Sequence, residues 1–316
     1  MRVAYANLGA EEGRPAPAVG PVERLAKAWA SLVDEPPWDW LAKAHGLVPW
    51  LSTDEAALEA HARQLPLWGS PPDVVSTVHD KAFAQRIARE HRIDPHLLEH
   101  VLVFDEGVTS EEIEAHVSTW PVWARTSFTA KPRFGTSGRG RIIGRNGRLL
   151  GRPSFGGKRR GGHQGGCIVE PWLDRMVDLS SLWFIDDLGA PMLLGTTRQV
   201  VRPSGAYLGC DIVADGGRLW SGSDHDDEMV EKAHILVTEA GRAGHRGPCG
   251  VDAFVYRNIE GDLLLRGAVE LNARFTAGHV GLGLVMRLRQ SGAHRFRLDT
   301  DEVLTTARSD GGPEVW

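Results

Sequence analysis

The sequence predicts a mixed α/β (α+β) protein, in which a small N-terminal α/β unit precedes a central α/β unit and a larger C-terminal antiparallel sheet. Three observations support this fold class. Apolar residues recur at helical spacing through much of residues 21–93. Strand-like segments dominate from residue 167 onward, and one helical stretch at about 226–243 interrupts them. The chain of 316 residues shows no internal repeat and is long enough for roughly two or three small domains or for one large domain.

The N-terminal unit, residues 1–75, is expected to hold one strand and two helices. Residues 3–7 predict a short strand, which the following glycines and prolines end. Residues 21–33 place their apolar side chains on one helical face, and a pair of prolines stops that helix. A serine and a threonine followed by acids predict a second helix over residues 52–65. A unit of this size is too short for a complete dinucleotide-binding fold.

The central unit, residues 76–166, changes from helical to strand-like spacing along its length. Residues 76–93 predict a third helix with a buried apolar face. Residues 121–131 alternate in character, which predicts a strand. Residues 144–166 are rich in glycine and basic residues and have no apolar period, so we expect a hairpin with a mobile loop.

The C-terminal unit, residues 167–316, is expected to consist mainly of strands. The segments with strand character are 167–173, 178–185, 191–201, 250–258 and 262–275. A short polar connection joins the last two of these segments, and we therefore expect them to form a hairpin.

Composition narrows the classes of function. Hydrophobic residues make up 42% and charged residues 24% of the chain, as is ordinary for a globular protein. The net charge of −5 argues against a protein that coats nucleic acid. Cys167, Cys210 and Cys249 lie far apart and predict neither a disulfide framework nor a zinc site. The N-terminus lacks a signal-peptide core and no segment is long and apolar enough to span a membrane, so we expect a cytoplasmic protein.

The segment KPRFGTSGRGR, residues 131–141, is the first candidate for chemistry. Its lysine precedes the glycines, which is the reverse of the order in a P-loop. Glycines next to small hydroxyl residues let backbone N–H groups converge on phosphate oxygens, and Lys131 would add a positive charge. A plain hairpin turn with a charged rim accounts for the same residues, so this segment alone leaves both interpretations open.

The segment AVELNARF, residues 268–275, is the second candidate. Side chains alternate along a strand, so Glu270, Asn272 and Arg274 share one face. The predicted hairpin would bring Asp252 from the adjacent strand within reach of Glu270. Carboxylate and amide oxygens are the ligands that Mg²⁺ takes together with nucleotide phosphates, and an arginine beside them is suited to holding a transferring phosphoryl group. The alternative is an ordinary strand that faces solvent.

The segment CIVEPWLDRMVDLSS, residues 167–181, is the third candidate. An apolar strand ends at Glu170, where Pro171 stops it. Glu170 is suited to accepting a hydrogen bond from an adenine amino group, and Asp178 to accepting from ribose hydroxyls. An exposed strand end is the alternative interpretation of these residues.

Taken in order, these pieces resemble the ATP-grasp superfamily. A helix carries an Asp-Lys pair, a Lys-Pro strand end precedes a glycine loop, a glutamate marks a hinge, and an aspartate precedes a Glu-x-Asn triplet. The resemblance spans about residues 76–290 and implies an ATP-grasp fold, with the N-terminal unit as the leading domain and two ATP-grasp subdomains after it. The family usually has a helix between the glycine loop and the hinge strand, where this chain has the basic, glycine-rich residues 156–166.

The resemblance also implies a site for ATP and two Mg²⁺ ions. The residues implied for ATP are Lys81, Lys131, Gly135, Thr136, Ser137 and Gly138 at the phosphates, Glu170, Trp172 and Leu173 at the adenine, and Asp178 at the ribose. Those implied for the metal ions are Asp252, Glu270 and Asn272. Lys131 and Arg274 would stabilise the transition state. Asp178 stands where the family commonly has glutamate.

ATP-grasp relatives typically activate a carboxylate as an acyl phosphate, which an amine or thiol then attacks. We therefore expect an ADP-forming carboxylate–amine ligase that acts on a small-molecule or peptide carboxylate and an amine acceptor. Neither nucleic acid nor a membrane is expected as a partner, and a homodimer is compatible with the sequence. The alternative is a kinase that phosphorylates a small-molecule hydroxyl. A nucleic-acid-binding module built on Lys158, Arg159 and Arg160 ranks third, because only Phe155 lies close enough to stack on bases.

The expected substrate contacts lie in two further segments. Arg198 and Arg202, near a strand end, are candidates to grip the substrate carboxylate. Solvated residues paired with nearby acids are the alternative. His279 lies just beyond the metal strand among glycines and is a candidate to orient the acceptor, with a purely structural histidine as the alternative.

Overall fold

The computed structural model describes residues 1–10, 19–135, 140–151, 165–202 and 206–306. The N-terminal unit is built on a parallel pair of strands, β1 (Arg2–Tyr5) and β2 (Gly46–Pro49). Its helices are α1 (Pro21–Asp34), α2 (Asp39–Ala42) and α3 (Asp54–Ala62). The predicted strand and both predicted helices are thus confirmed. The Thr53 hydroxyl starts α3 by accepting a hydrogen bond from the Ala56 N–H at 3.2 Å.

The single helix predicted over residues 76–93 is wrong, because two helices, α4 (Pro72–His79) and α5 (Lys81–Glu90), occupy this region. Asp80 separates them with φ −63° and ψ 125°, which is an extended conformation. Its carboxylate accepts from the Ala82 N–H at 2.8 Å and so caps α5. The break makes Lys81 the first residue of α5.

The central unit is built on a second sheet. Its strands are β3 (Leu102–Phe104), β4 (Ser127–Pro132), β5 (Ile142–Arg145), β6 (Arg148–Leu149) and β7 (Cys167–Pro171). They pair in the order β3-β7-β4-β5-β6, and all pairs are antiparallel. A 3₁₀ turn (Leu98–His100) precedes the sheet, and α6 (Ser110–Ser118) packs on it through Ile113 and Val117.

The strand predicted over residues 121–131 is correct only in its second half. Helix α7 (Val122–Thr126) forms the first half, and β4 begins immediately after it. The Thr126 hydroxyl donates to the Val122 carbonyl oxygen at 2.7 Å, as in a helical turn. Helical geometry buries Ala124 completely in the same apolar cluster as Phe128, and this packing outweighs the alternating pattern.

The C-terminal unit is dominated by an antiparallel sheet of eight described strands. They are β8 (Asp174–Ile185), β9 (Pro191–Val201), β10 (Tyr207–Asp215), β11 (Arg218–Trp220), β12 (Gly247–Arg257), β13 (Leu263–Asn272), β14 (Gly292–Arg297) and β15 (Leu304–Thr306). Their order is β13-β12-β8-β9-β10-β14-β15, and β11 pairs with β10. Helix α8 (Asp226–Arg242) covers one face, where Met229 meets Leu179. Helix α9 (Ala277–Leu288) covers the other, where Gly278 approaches Leu182.

The sequence predicted helix α8 and four of these eight strands, namely β8, β9, β12 and β13. It did not predict the other four strands or α9. Several glycines within α9 lower its helix propensity. Packing explains them, because a Cβ atom at Gly281 would lie 3.1 Å from the Cys210 Sγ atom. One at Gly283 would lie 2.8 Å from Leu32 of α1. The glycines therefore let α9 approach both the sheet and the N-terminal unit closely.

The three units share cores rather than standing apart. The largest apolar cluster includes Trp29 of the N-terminal unit and Leu182 of the C-terminal sheet. Strand β7 pairs with β3 and β4 of the central sheet, so we place the boundary between the last two units after Pro171 rather than before Cys167. Among the described residues, no helix is long and apolar enough to cross a membrane. The cytoplasmic location stays a prediction.

The close contact between β5 and β4 generates a stability prediction. A Cβ atom at Gly144 would lie 2.0 Å from the ring of Phe128, which is fully buried. We expect Gly144→Ala to lower the free energy of unfolding by about 1–3 kcal/mol, because a packed core resists added volume. Urea denaturation measures the change.

Gly151→Ala is the matched control, since its nearest contact would be an ordinary 3.5 Å from Ile142. We expect that variant to remain within about 0.5 kcal/mol of the parent protein. Equal stabilities for the two variants would contradict the packing described for Phe128.

Candidate active site

A row of polar side chains crosses the C-terminal sheet. The strand register places Glu270 of β13 opposite Asp252 of β12, Asp252 opposite Ser180 of β8, and Ser180 opposite Thr197 of β9. Residues directly opposite on neighbouring strands project from the same face of a sheet. The four side chains line a cleft of about 730 Å³, and Lys131 of the central sheet lines it as well. This volume is typical of small-molecule sites.

Lys81 links the central unit to this row. Its ammonium lies 3.1 Å from a Glu270 carboxylate oxygen and donates to the Gly135 carbonyl oxygen at 2.9 Å. The Lys81 backbone N–H donates to the Arg133 carbonyl oxygen at 3.3 Å. The Arg133 guanidinium in turn pairs with the Asp80 cap. The start of α5 therefore holds the first residues of the glycine segment over Glu270.

A second buried ion network lies at the end of β7. Glu170 accepts from Lys131 at 2.7 Å and from Arg266 at 2.9 Å, and all three side chains are at most 14% exposed. Burial lowers the pKa of Lys131, although Glu170 and Glu270 act to raise it. Burial alone would raise the pKa of Glu170, but Lys131 and Arg266 bring it below its usual range. Glu170 is thus held as a carboxylate.

The pKa values of the two carboxylates in the row, Asp252 and Glu270, are shifted in opposite directions. Burial, with the nearby charge of Glu270, raises the pKa of Asp252 to about 6. Burial alone would raise the pKa of Glu270 too, but Lys81 and Lys131 lower it to about 2. The repulsion between the two neighbouring acids therefore appears as a raised pKa of Asp252. A bound cation would relieve this repulsion.

Amide and guanidinium groups fix the orientation of these acids. Gln199 donates to Asp252 Oδ1 at 2.8 Å, and the Asn272 amide donates to Asp252 Oδ2 at 3.1 Å. Arg274 donates to Asn272 Oδ1 at 3.2 Å and to the Phe275 carbonyl oxygen at 2.8 Å. Asp252, Glu270 and Asn272 thus all line the cleft at one end of the hairpin, with the Asn272 amide nitrogen toward Asp252 and its oxygen toward Arg274.

The donor set fits Mg²⁺ in its chemistry. Asp252, Glu270 and Asn272 offer hard oxygen ligands, and Mg²⁺ takes one or two carboxylates together with water and phosphate oxygens. Within the described residues, no group of three or more His, Cys, Asp or Glu side chains is arranged to hold a metal by itself. A metal ion here would therefore need oxygens from a ligand, as nucleotide sites provide.

The rim near the hinge is aromatic and cationic. The indole of Trp172 lines the cleft, and the Arg141 guanidinium lies 4.4 Å from its ring centre. The Trp172 backbone N–H already donates to the Ser127 carbonyl oxygen at 2.8 Å, so it holds the hinge in place. Asp178 also lines the cleft and pairs with Arg175, which lies over the ring of Phe254.

The substrate residues expected from the sequence divide into two groups. Arg202 lines the cleft at the end of β9. Arg198 lies between Thr197 and Gln199, both of which face the cleft, so strand alternation directs Arg198 to the opposite face of the sheet. Thr136, Ser137 and Gly138 lie outside the described residues, whereas Gly135 lines the cleft.

His279 lies within α9 rather than in a loop. Its Nδ1 atom accepts from the Thr276 N–H at 3.1 Å and completes a capping box. Its Nε2 atom lies 3.3 Å from the Trp183 carbonyl oxygen. Burial lowers the pKa of His279 to about 3, so the ring is neutral. These contacts assign it to the start of α9 and not to a substrate contact.

The cleft also contains residues that sequence reasoning missed. Gln199 and Arg175 line the cleft, and Arg266 completes the Glu170 network. Alternation along β9 was the available signal for Gln199, since it makes Thr197 and Gln199 partners on one face. No local pattern points to Arg266, because its partner Glu170 is far away in the sequence.

Solved structures with the ATP-grasp fold match the chain over most of its length. The biotin carboxylase domain of 2-oxoglutarate carboxylase from Hydrogenobacter thermophilus, solved with MgADP, ADP and bicarbonate, matches 93% of this chain and 73% of its own, with 15% identity and a TM-score of 0.54. Phosphoribosylamine–glycine ligase from Thermotoga maritima matches 94% and 80%, with 12% identity and a TM-score of 0.51.

An Archaeoglobus fulgidus protein described as a member of the ATP-grasp superfamily matches 94% of this chain and 92% of its own, with 15% identity and a TM-score of 0.51. No protein-family model and no curated protein sequence matches the chain. At these identities the likeness establishes the fold, and the chain has the ATP-grasp fold that the resemblance implied.

The raised pKa of Asp252 generates a prediction about pH. Between about pH 4 and pH 6 the native carboxyl keeps a proton that the unfolded chain has released, so this group makes stability fall as the pH rises. We expect Asp252→Asn to remove this loss. Relative to the parent, the variant should gain up to about 3 kcal/mol of unfolding free energy between pH 4 and pH 7. Urea denaturation at several pH values measures it.

Asp174→Asn is the control, because Asp174 is an exposed residue of the same sheet. Its stability should follow the parent at every pH. An Asp252→Asn variant whose pH dependence is also parallel to that of the parent would show that Asp252 is not strained by burial and by Glu270.

Proposed function

We propose that the protein is an ATP-dependent carboxylate–amine ligase that forms ADP and phosphate. The observation that supports this most directly is the meeting of Lys81 with Glu270, beside Asp252, on the floor of one cleft. A buried cation and a strained pair of acids together suit a polyphosphate with its divalent cation. Either feature alone has a purely structural explanation.

In the proposed complex, Lys81 and Lys131 contact the phosphates of ATP, and the glycine segment that begins at Gly135 covers them. Both ammoniums are already directed into the cleft by their carboxylate partners. Asp252, Glu270 and Asn272 would hold Mg²⁺, which when bound offsets the charge on the phosphates. The Asn272 oxygen stays in position because Arg274 donates to it.

The adenine would lie at the hinge formed by Glu170, Trp172 and Leu173, and the ribose near Asp178. Glu170 is ionised and fixed by two cations, so it is suited to accept from the adenine amino group. Of the two hinge backbone groups, the Leu173 N–H is the stronger candidate for the ring edge, since the Trp172 N–H donates to Ser127.

The proposed reaction has two steps. A substrate carboxylate oxygen attacks the γ-phosphorus of ATP, the bond from that phosphorus to the β-γ bridging oxygen breaks, and ADP leaves with that bond's electron pair. The amine then attacks the acyl carbon of the acyl phosphate, inorganic phosphate leaves, and the nitrogen loses a proton. Arg274 lines the cleft beside the carboxylates and would stabilise the oxygens of the transferring phosphoryl group. Assembly as a homodimer stays a prediction.

Nucleotide binding and turnover test this proposal. We expect MgATP to stabilise the protein by about 2.7 kcal/mol at a hundredfold excess over its Kd. We expect release of ADP only when a carboxylate and an amine are both present. Glu270→Gln should lower turnover by about 10²-fold or more, because it removes a charge that acts on the phosphates and their cation. Thermal unfolding and an ADP-release assay provide the two readouts.

Glu260→Gln is the matched control, since Glu260 is exposed in the connection between β12 and β13. It should turn over like the parent protein. ADP release with a stable phosphorylated alcohol, and without any amine, would identify a kinase instead. Full turnover in Glu270→Gln would exclude the proposed metal site.

A further inference from the structure

The cleft extends beyond Glu270 toward the N-terminal unit, and its walls change character there. The residues that line this region, which we call the apolar end, are Leu8, Val22, Leu25, Trp50, Leu208 and Leu298. Leu8, Trp50 and Leu298 are buried members of the largest core cluster, and the other three are half-buried. Part of this apolar surface is therefore accessible from within the cleft.

Contacts between the N-terminal and C-terminal units fix the apolar end in place. Arg24 of α1 donates to the Leu298 carbonyl oxygen at 2.8 Å, and the Leu298 N–H donates to the Leu208 carbonyl oxygen at 2.8 Å. The Phe275 N–H donates to the Trp50 carbonyl oxygen at 3.2 Å. Val22 and Leu25 lie three residues apart on α1 and so face the same way. The apolar end is thus a formed surface, held by backbone hydrogen bonds and by the Arg24 side chain.

Positive groups lie beside this surface. Arg274 and Arg202 line the cleft, and so do the first residues of α9 after its Thr276 cap. The N-terminus of this 12-residue helix favours an anion through its backbone N–H groups. An anionic head group next to an apolar body would match this distribution of charge.

Two hydroxyls add an independent indication of a ligand. The Thr197 side chain is 1% exposed and lines the cleft, and its hydroxyl has no nitrogen or oxygen partner among the described residues. Tyr207 is half-buried and also lines the cleft, and its buried hydroxyl oxygen likewise has no nitrogen or oxygen partner among the described residues. Both hydroxyls are within hydrogen-bonding reach of the Cys210 thiol, which is a weak partner. A buried hydroxyl without a good partner is costly, so a polar ligand atom would complete this wall.

We propose that the substrate carboxylate belongs to an acid with a branched aliphatic or aromatic body, which packs against the apolar end. This inference rests on the proposed ligase function and names its substrate class. Arg274 and the start of α9 receive the carboxylate, and Thr197 and Tyr207 bond to polar atoms next to it. Small acids such as bicarbonate, acetate or glycine leave the apolar end unfilled.

The test is an ADP-release assay with hydroxylamine as the amine, MgATP in excess, and matched carboxylates. The pairs are 4-methylpentanoate or 3-phenylpropanoate against acetate, and leucine or phenylalanine against glycine, with bicarbonate and glutamate added singly. We expect at least one apolar acid to exceed its small partner by about 10- to 100-fold in kcat/KM, because each added carbon group gains contact in an apolar site.

Leu25→Gln should lower that ratio by about tenfold and leave the KM for ATP unchanged. Leu188→Gln is the control, since Leu188 is 91% exposed in the β8–β9 turn. The MgAMP-PNP-induced rise in melting temperature should be equal in the parent and in both variants. It reports on the nucleotide site without turnover.

Three results would overturn the inference. In the first, MgAMP-PNP stabilises the protein, but the protein prefers small or acidic carboxylates or uses no apolar acid. The proposed substrate class would then be wrong, and the proposed nucleotide site would still be supported. In the second, Leu25→Gln keeps the parent's ratio, and the apolar end does not contact substrate. In the third, MgAMP-PNP gives no stabilisation, and the proposed function fails together with the inference that rests on it.

Discussion

The salt bridge between Lys81 and Glu270 is the interaction on which the cleft depends. Lys81 begins α5, and Gln85 of the same helix donates to the Ala268 carbonyl oxygen of β13 at 3.1 Å. The ion pair and this hydrogen bond therefore fix the central unit against the C-terminal hairpin. Removing one partner of such a pair would leave a buried charge unpaired, at a cost of about 3–5 kcal/mol. Burial on this scale is costly in a purely structural role, which favours a functional reason for the pair.

The other buried acids of the cleft differ in how far their charges are compensated. Glu170 is surrounded by Lys131 and Arg266, whereas Asp252 lies beside the like charge of Glu270. The Gln199 and Asn272 amides that donate to Asp252 are neutral, and the charge of Arg274 offsets only part of the rise in its pKa. The negative charge of Glu170 is thus stabilised, whereas that of Asp252 is destabilised. In the proposed complex the strain at Asp252 is relieved by a cation, and the two lysines exchange carboxylate oxygens for phosphate oxygens. The charges of the site would be only partly compensated without a ligand, and a bound nucleotide with its cation would compensate them.

Local patterns predicted the parts of this arrangement that depend on alternation and capping. Period-two spacing put Glu270 and Asn272 on one face, and the hairpin connection put Asp252 opposite Glu270. Local patterns gave wrong secondary structure where tertiary contacts determine the conformation. Asp80 breaks the helix predicted over residues 76–93, and the glycines of α9 allow close packing within a helix that was not predicted. Arg198 projects away from the cleft although its charge suits a substrate carboxylate, because it alternates with Thr197 and Gln199 along β9. Contacts between distant segments, such as that of Arg266 with Glu170, cannot be predicted from local patterns in a single sequence.

In the proposed complex, the Asp252–Glu270 end of the cleft binds a nucleotide together with Mg²⁺. Isothermal titration calorimetry of AMP-PNP into the protein, with Mg²⁺ and with EDTA, measures this binding. We expect binding to tighten by at least about tenfold when Mg²⁺ is present. We expect Asp252→Asn to abolish this dependence and to retain weak binding through Lys81 and Lys131. Equal affinity with and without Mg²⁺, or no binding at all, would contradict the proposed complex.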